Sequence, residues 1–487
     1  GNQSSSVKQG ALGFFAQDNY KLKPNLTIEL GLRYDRLMSP TERYDRFVVF
    51  DPTTDSLLRV GSGLDDIYKA NNAFQPRIGF AWDPFKDGKT SVRAGYAIFA
   101  DQPVTNLVSP TSTNPPLASP LAFTPPASNP GLRTTFANAL TSAAATGLAP
   151  TSVDTNFENA YVQSWNLNIQ REITPSLNLS IGYFGNKGTH LRIQRNINQF
   201  RADGTRPFPT LSASSPIRPG AALGNIFEND SAGNSNYNAL WVTANKRFSR
   251  GFQFNASYTF SKSIDYNSLN TQGVVAQDSY NIANDRGLSD FDARHRFVIN
   301  WIYELPFKGN RLVEGWQISS IAQLQSGNPL NIVTNINTFT GTATLRPDLI
   351  GSLDILGKVS PNLWFTNTVC DPRVAGSCTA NSVFALPVSP NGVFHMGNLG
   401  RNVVIGPDFK NVDFSVLKNT KLTERVNLQF RTEIFDLFNH ANFGQPGRVA
   451  TVGSTTFGVI APANGTRFPT GDSGSSRQLQ FALKLIF

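Results

Sequence analysis

The densest run of chemistry-bearing residues in this chain is Asn284–His295, which gathers Asp285, Asp290, Asp292, Arg294 and His295 in one short stretch. Carboxylates this close together can ligate calcium, but their spacing is not that of an EF-hand loop. The neighbouring arginines offer them ion-pair partners instead. The run therefore reads as a charged junction between a loop and a strand, and no metal or cofactor site is assigned to it. The two cysteines close the loop-like stretch Cys370-Asp-Pro-Arg-Val-Ala-Gly-Ser-Cys378. Structural zinc takes four ligands as a rule, and nothing nearby supplies the others. A small disulfide loop in an oxidising compartment is expected. The histidines, His190, His295, His395 and His440, are far apart and read as single loop or strand-end residues. There is no Gly-x-Ser-x-Gly elbow and no phosphate-cradling glycine loop, so no catalytic residue is assigned.

The elements that position these residues are more informative than the residues themselves. Of 487 residues, 40% are hydrophobic and only 16% charged, with 36 Phe against 2 Met. Soluble domains carry roughly 25% charged residues, so the charged surface here is thin, while the aromatic content argues against disorder. The net charge is +9, yet Lys and Arg are scattered singly. A nucleic-acid partner would need them in runs or stripes and is not expected. No stretch of about 18 apolar residues encodes a transmembrane helix. The first residues, Gly1-Asn-Gln-Ser-Ser-Ser, have neither the basic start nor the apolar core of a signal peptide, which fits a leader already removed or a start partway through a longer protein.

What the chain has in abundance is period-two alternation, the signature of strands with one apolar and one polar face. Leu26, Ile28, Leu30, Leu32 and Tyr34 alternate with Thr27, Glu29, Gly31, Arg33 and Asp35. Phe252, Phe254, Ala256, Tyr258 and Phe260 alternate with Gln253, Asn255, Ser257, Thr259 and Ser261. Val426, Leu428, Phe430 and Ile434 alternate with Asn427, Gln429, Arg431 and Glu433. About thirteen strands are expected on this basis, near 11–22, 26–37, 75–84, 90–101, 160–173, 177–188, 237–248, 252–263, 294–305, 312–325, 409–420, 424–437 and 477–487. Tight turns such as Lys23-Pro-Asn25, Thr174-Pro-Ser176 and Ser249-Arg-Gly251 join them in pairs. Between the pairs run long polar connections at 38–74, 102–159, 189–236, 264–293, 326–408 and 438–476.

This strict alternation of short and long connections defines the expected class: an all-β, antiparallel transmembrane β-barrel, with short turns on the periplasmic side and long loops outside. Runs of 9–11 residues suffice for a tilted strand to cross a bilayer, and a closed barrel satisfies every backbone group in hydrocarbon. The final strand puts Leu479, Phe481, Leu483, Leu485 and Phe487 on one face. That pattern, ending in an aromatic residue, looks like the signal read by the outer-membrane assembly machinery. Cys370 and Cys378 then fall in an outward-facing loop, in agreement with an oxidising environment.

Several segments resemble TonB-dependent outer-membrane receptors. Gly13-Phe-Phe-Ala-Gln-Asp-Asn-Tyr-Lys-Leu-Lys-Pro-Asn-Leu-Thr-Ile-Glu-Leu-Gly-Leu-Arg-Tyr-Asp35 is similar to a hairpin common among them. Tyr237-Asn-Ala-Leu-Trp241, Ala256-Ser-Tyr-Thr-Phe-Ser-Lys-Ser-Ile-Asp265, Ser289-Asp-Phe-Asp-Ala-Arg-His-Arg-Phe297 and Arg431-Thr-Glu-Ile-Phe-Asp-Leu-Phe-Asn-His-Ala-Asn-Phe-Gly444 resemble the Oar-like branch. The resemblance implies a 22-stranded barrel closed by an N-terminal plug and energised through TonB. Thirteen strands would be its strands 10 to 22, so residues 1–487 are expected to be the C-terminal portion of the barrel, without plug or N-terminal domains.

The function this implies is active uptake of a nutrient such as an iron chelate, an oligosaccharide or a peptide-like ligand. The alternative is a passive channel or a surface-adhesion barrel without energy coupling. An enzyme is not expected. Expected partners are the lipid bilayer and lipopolysaccharide of a Gram-negative-type outer membrane, the assembly machinery, TonB through an N-terminal region, and an unidentified ligand. Glu29, Arg33, Arg431 and Glu433 fall on the polar face and are the candidate lumen residues. Asn- and aromatic-rich loop segments such as Phe227 to Tyr237 could stack on a ligand.

Overall fold

The computed structural model describes residues 5–118, 147–201, 203–268, 276–336, 340–342, 344–357, 362–460 and 476–487. Thirteen long strands form one continuous antiparallel path in chain order. They are β1 (Ala11–Lys23), β2 (Leu26–Leu37), β3 (Asn71–Trp82), β4 (Thr90–Ala100), β5 (Tyr161–Thr174), β6 (Leu177–Asn196) and β7 (Phe227–Ser249). The path continues through β8 (Phe252–Asp265), β9 (His295–Glu304), β10 (Trp316–Gln325), β11 (Phe409–Lys421), β12 (Asn427–Phe435) and β13 (Gln478–Ile486). Each strand pairs with its predecessor and successor, so β1 and β13 are the ends of this belt.

The register keeps the faces separate across every pair. On β2, β3 and β4 the row Leu30, Ile78 and Tyr96 is apolar, while the adjacent row Gly31, Arg77 and Ala97 lies on the other face. A one-residue slip would exchange the two faces, so the alternation itself pins the pairing. The turn at Arg250–Gly251 shows how the hairpins close. Both residues have positive φ, 53° and 75°, the backbone of a tight turn that matches strand twist.

Several expected boundaries shift; the strand expected at 75–84, for one, runs Asn71–Trp82. The strand expected at 312–325 starts only at Trp316, because Val313 and Glu314 donate back to the Asn310 carbonyl and coil the segment into a turn. The strand expected at 424–437 is shortened to Asn427–Phe435, its start taken up by the Leu422–Val426 backbone hydrogen bond. The largest difference is at β6 and β7, which run 20 and 23 residues. Their far ends continue pairing, Ile193 to Asp230 and Asn196 to Phe227, well beyond the belt.

The described parts of the long connections are not open loops. They pack on one another as a cap over one end of the sheet, built around three hydrophobic clusters. One joins 38–74 to 102–159 through Phe47, Val49, Ile67, Tyr68, Leu107, Val108, Val153 and Phe157. A second joins 38–74 to 189–236 through Val48, Phe50, Leu57, Leu211, Leu223 and Ile226. The short strand Val48–Asp51 therefore sends alternate side chains into two different cores and is buried on both faces. The third joins 326–408 to 438–476 around Phe365, Phe384 and Phe457, whose rings meet edge-on at 5.2–6.3 Å. Within 326–408, Cys370 and Cys378 form a disulfide, and Cys370 is buried.

Candidate functional site

The polar face of the belt carries the residues with chemistry to offer. Arg33 and Asp35, two apart on β2, lie on that face and pair at 2.7 Å. Asp35 also accepts from the Gln75 amide of β3, whose oxygen accepts from the Ala100 backbone N–H at 3.0 Å. Gly13, opposite Asp35 on β1, leaves the room for this pair. A side chain there would run into both the Asp35 carboxylate and the Arg33 guanidinium. Glu29 accepts from Gln17 of β1 at 2.8 Å. At the other end of the path Arg431 reaches Glu433 and Gln429 at 3.4 and 3.3 Å. The four sequence-derived candidates thus share one face, but Glu29 and Arg33 sit on one strand and Arg431 and Glu433 on another far along the path. They form two local networks and not one site.

Between Glu29 and Asn166 the polar face holds a recess of about 540 Å³. Gly79 and Gly95 face each other across β3 and β4, and their missing side chains leave the wall bare there. Arg77 and Arg93 flank the recess, with Asn19 and Asn166 at its edges. Arg77 lays its guanidinium over the Phe99 ring at 5.2 Å, and its buried Nε has no acceptor. Arg93 donates to Ser91 at 3.1 Å. Neither arginine is within ion-pair distance of a carboxylate among the described residues, and Glu29 lines the same recess beside Gly79. Neither was among the candidates read from the sequence, and the glycine-floored recess between them needs the register to be seen.

The cap holds the buried charges. The Asp285–His295 run is pinned by arginines from a distant loop. Arg346 is buried and ion-pairs with Asp285, while donating to the carbonyls of Leu399 and Asn284 at 2.8 and 2.9 Å. Arg401 pairs with Asp265 at 2.7 Å and reaches Ser268 at 2.7 Å and Asp290 at 3.4 Å. Asp292 accepts from the Ser263 backbone at 2.6 Å, and its own neighbour Arg294 stays 4.0 Å away. The ion pairs expected at this junction are present, but Asp285 and Asp290 draw their partners from 326–408, not from the adjacent arginines. Among the described residues no three His, Cys, Asp or Glu side chains converge as metal ligands.

A second buried group sits where β6 and β7 extend into the cap. Arg195 pairs with Asp230 and lies 4.0 Å from Glu228. Burial, with Asp154 and Asp230 nearby, pushes the Glu228 carboxyl up to about 8 against the pull of Arg195, and burial also raises Asp230. Both lie beyond the belt, level with the short strand Thr151–Val153. Tyr68, buried in the first cap cluster, is likewise raised to about 12, opposed only by the Gln9 hydrogen bond. Sequence reasoning missed Arg195, Arg346 and Arg401.

A sheet with one continuous apolar face, one polar face with charged networks, and long connections gathered at one end has the build of a membrane-spanning barrel wall. The profile of the family described as Outer membrane beta barrel domain matches residues 1–480. The chain belongs to that outer-membrane β-barrel family, and its apolar face is the lipid-facing one. Among solved structures it is similar to the ferripyoverdine receptor of the outer membrane of Pseudomonas aeruginosa bound to ferripyoverdine, at 13% identity and TM-score 0.45, covering 99% of this chain and 39% of that one. It is also similar to the FrpB iron transporter from Neisseria meningitidis, at 10% identity, TM-score 0.45 and coverages of 99% and 46%. The ferric citrate transporter FecA in its unliganded form gives 11% identity, TM-score 0.45 and coverages of 99% and 46%. The chain therefore spans less than half the length of these structures. No match was found among curated proteins.

Proposed function

We propose that this chain is the C-terminal wall and outer cap of a TonB-dependent transporter that takes up a ligand actively across the outer membrane. The observation that carries the reading is the polar face. A barrel lumen must be wet, and here the inward positions hold the Arg33–Asp35 and Arg431–Glu433 networks and the Arg77–Arg93 recess. Such a wall suits contact with a charged ligand or with a plug occupying the lumen. The cap is the natural outer binding surface, with the long connections outside and the short turns in the periplasm. The segment resemblance to TonB-dependent receptors supports energy coupling through an N-terminal region, and the Oar-like motifs favour that branch. In the same reading the thirteen strands are strands 10 to 22 of a closed barrel. Hydrocarbon does not tolerate unpaired strand edges, and β1 and β13 each have one neighbour along the path. Leu479, Phe481, Leu483, Leu485 and Phe487 are exposed on one face of the last strand, as a segment read by the assembly machinery requires.

The test uses the full-length protein in cells with and without TonB, measuring uptake of radio-iron chelates, labelled oligosaccharides and labelled peptides. Uptake of one class that stops without TonB is the expected result, and Arg77→Ala with Arg93→Ala lowers it about tenfold if the recess binds an anionic group. Solute-permeable liposomes made with the full-length protein, independent of TonB, would overturn the reading in favour of a passive channel.

A further inference from the structure

We propose that the short-turn end of the sheet binds the peptidoglycan network through the carboxylates of its stem peptides. The proposal rests on the orientation given above, with the cap outside and the short turns in the periplasm. Lys and Arg stand singly in the sequence, but the fold gathers them at this end. Residues 21–28, 82–90, 171–178, 246–253, 303–316, 418–427 and 484–487 make up the short turns, their flanking strand ends and the end of β13. They hold 14 Lys or Arg against 6 Asp or Glu, where the whole chain has 43 against 34. A surplus of eight of the nine net positive charges therefore sits here, and the rest of the chain is balanced to within one. The ion pairs of the described residues all lie elsewhere, and none involves these 14 cations. Carboxylates at this end turn to the backbone instead. Asp83 accepts from the amides of Phe85, Lys86 and Gly88 at 2.8–3.2 Å. Asp87 accepts from Lys89 and Glu314 from Gly309, both at 2.9 Å. These bonds shape the turns and leave Lys86, Lys89, Arg250, Lys308, Arg311 and Arg425 exposed.

What the cations face selects the partner. On the lipid side they are tied back. Arg171 lies over the Phe85 ring at 5.2 Å, Lys246 bonds to Ser249, and buried Lys418 donates to the Arg311 carbonyl at 2.8 Å. The exposed cations sit on the turns or, like Lys421 and Lys484, on the polar face beside Asn427 and Gln429. They address the water beyond the membrane and not lipid headgroups. Successive turns are two strands apart, about 10 Å, so the charge is a row of small separate clusters. A folded acidic protein needs a contiguous interface whose centre is poor in charge. A polymer with a carboxylate on every repeat meets such a row turn by turn, each contact weak and the sum strengthened by linkage. Phe248 and Phe307 are exposed next to Arg247 and Lys308. Their ring faces suit the C–H face of a sugar, beside a charge for its carboxylate.

The test takes the full-length protein in detergent and measures its co-sedimentation with purified sacculi. Binding is expected at low salt and falls as salt screens the contacts. Sacculi whose free carboxylates have been converted to amides should retain about tenfold less protein. Combined Arg250→Asn, Lys308→Gln, Arg311→Gln and Arg425→Gln should weaken binding by about the same factor. Asn is chosen at position 250 because the backbone there has a φ of 53°. Removing four exposed charges from the cap instead, with Lys8→Gln, Arg43→Gln, Lys69→Gln and Arg286→Gln, should leave binding within about twofold. The single Lys308→Glu, expected to lose part of the binding, serves if the combined turn variant does not fold. Equal retention by amidated sacculi, undiminished binding by the folded turn variants, or full displacement by phosphatidylglycerol vesicles would each overturn the site. Labelling of Lys308→Cys by a membrane-impermeant maleimide in intact cells would overturn it too, by placing the turns outside. None of these readouts depends on uptake. TonB-independent uptake with sacculus binding intact would sink the transport reading alone.

Discussion

Phe457, inside the last long connection, and Phe481, on the strand that follows it, carry the same side chain into opposite surroundings. Phe457 is 1% exposed, clasped by Phe365 and Phe384 in the cap. Phe481 is 65% exposed on the lipid face of β13. The contrast holds for the two regions as wholes. The belt turns its large apolar residues outward, among them Phe14, Phe74, Leu483 and Phe487, and keeps its polar groups within. The cap does what a water-soluble domain does and hides Phe47, Phe50, Leu57, Phe365 and Phe384 from solvent. One chain thus solves the hydrophobic problem twice, because its two regions face different solvents. Water drives apolar groups of the cap into its own cores, whereas the belt has lipid to accept them and only its backbone to satisfy.

The sharpest way to break this comparison is to remove a cap core residue. Phe457→Ala should cost about 3–5 kcal/mol of local stability. Hydrogen exchange should accelerate around Val383–Leu386 and Trp364–Phe365 while the amides of β11 and β12 stay protected. Equal loss of protection in the belt would mean that the two regions are one cooperative unit. The complementary change places a charge where only lipid waits. Leu483→Arg should cost about 2–4 kcal/mol, as for cations at depth on barrel exteriors, read as a lower folded fraction by heat-modifiable gel migration after refolding into vesicles. Gln480→Arg on the opposite face of the same strand should change that fraction little.

The smallest expected effect depends on pH and confines itself to the cap. Glu228 is held up near 8 by burial, far above the ordinary 4.5. The folded cap therefore prefers the neutral carboxyl, and this contribution is complete below about pH 4.5 and is lost as pH rises through 8. The paired ends of β6 and β7 should loosen over that window. Glu228→Gln should flatten the dependence and strengthen the cap by roughly 2 kcal/mol at pH 8, measured as exchange protection at Ile193 and Asn196 from pH 4 to 9. A wild-type profile without slope would show that Arg195 keeps the carboxylate charged throughout.

The belt was legible in the sequence because membrane strands are regular. Alternation located all thirteen strands, and the face assignment of Glu29, Arg33, Arg431 and Glu433 followed from the same parity. Boundaries slipped where a local hydrogen bond beat the pattern, as at Asn310–Glu314. The cap was not legible, because irregular segments carry no period to read. Nothing in the run from Phe47 to Phe50 announces that successive side chains enter different cores. Nothing beside Asp285 announces Arg346, since that pairing joins residues on separate connections.

By itself the sequence determined the strands, their two faces and the alternation of short turns with long connections, because those depend on neighbours two residues apart. Only the tertiary structure decided that the long connections fold on one another, that Arg346 and Arg401 bolt 326–408 to 264–293, and that Gly79 and Gly95 open a recess between two arginines. Each of these depends on contacts between distant segments, fixed by packing and strand register and not by local preference.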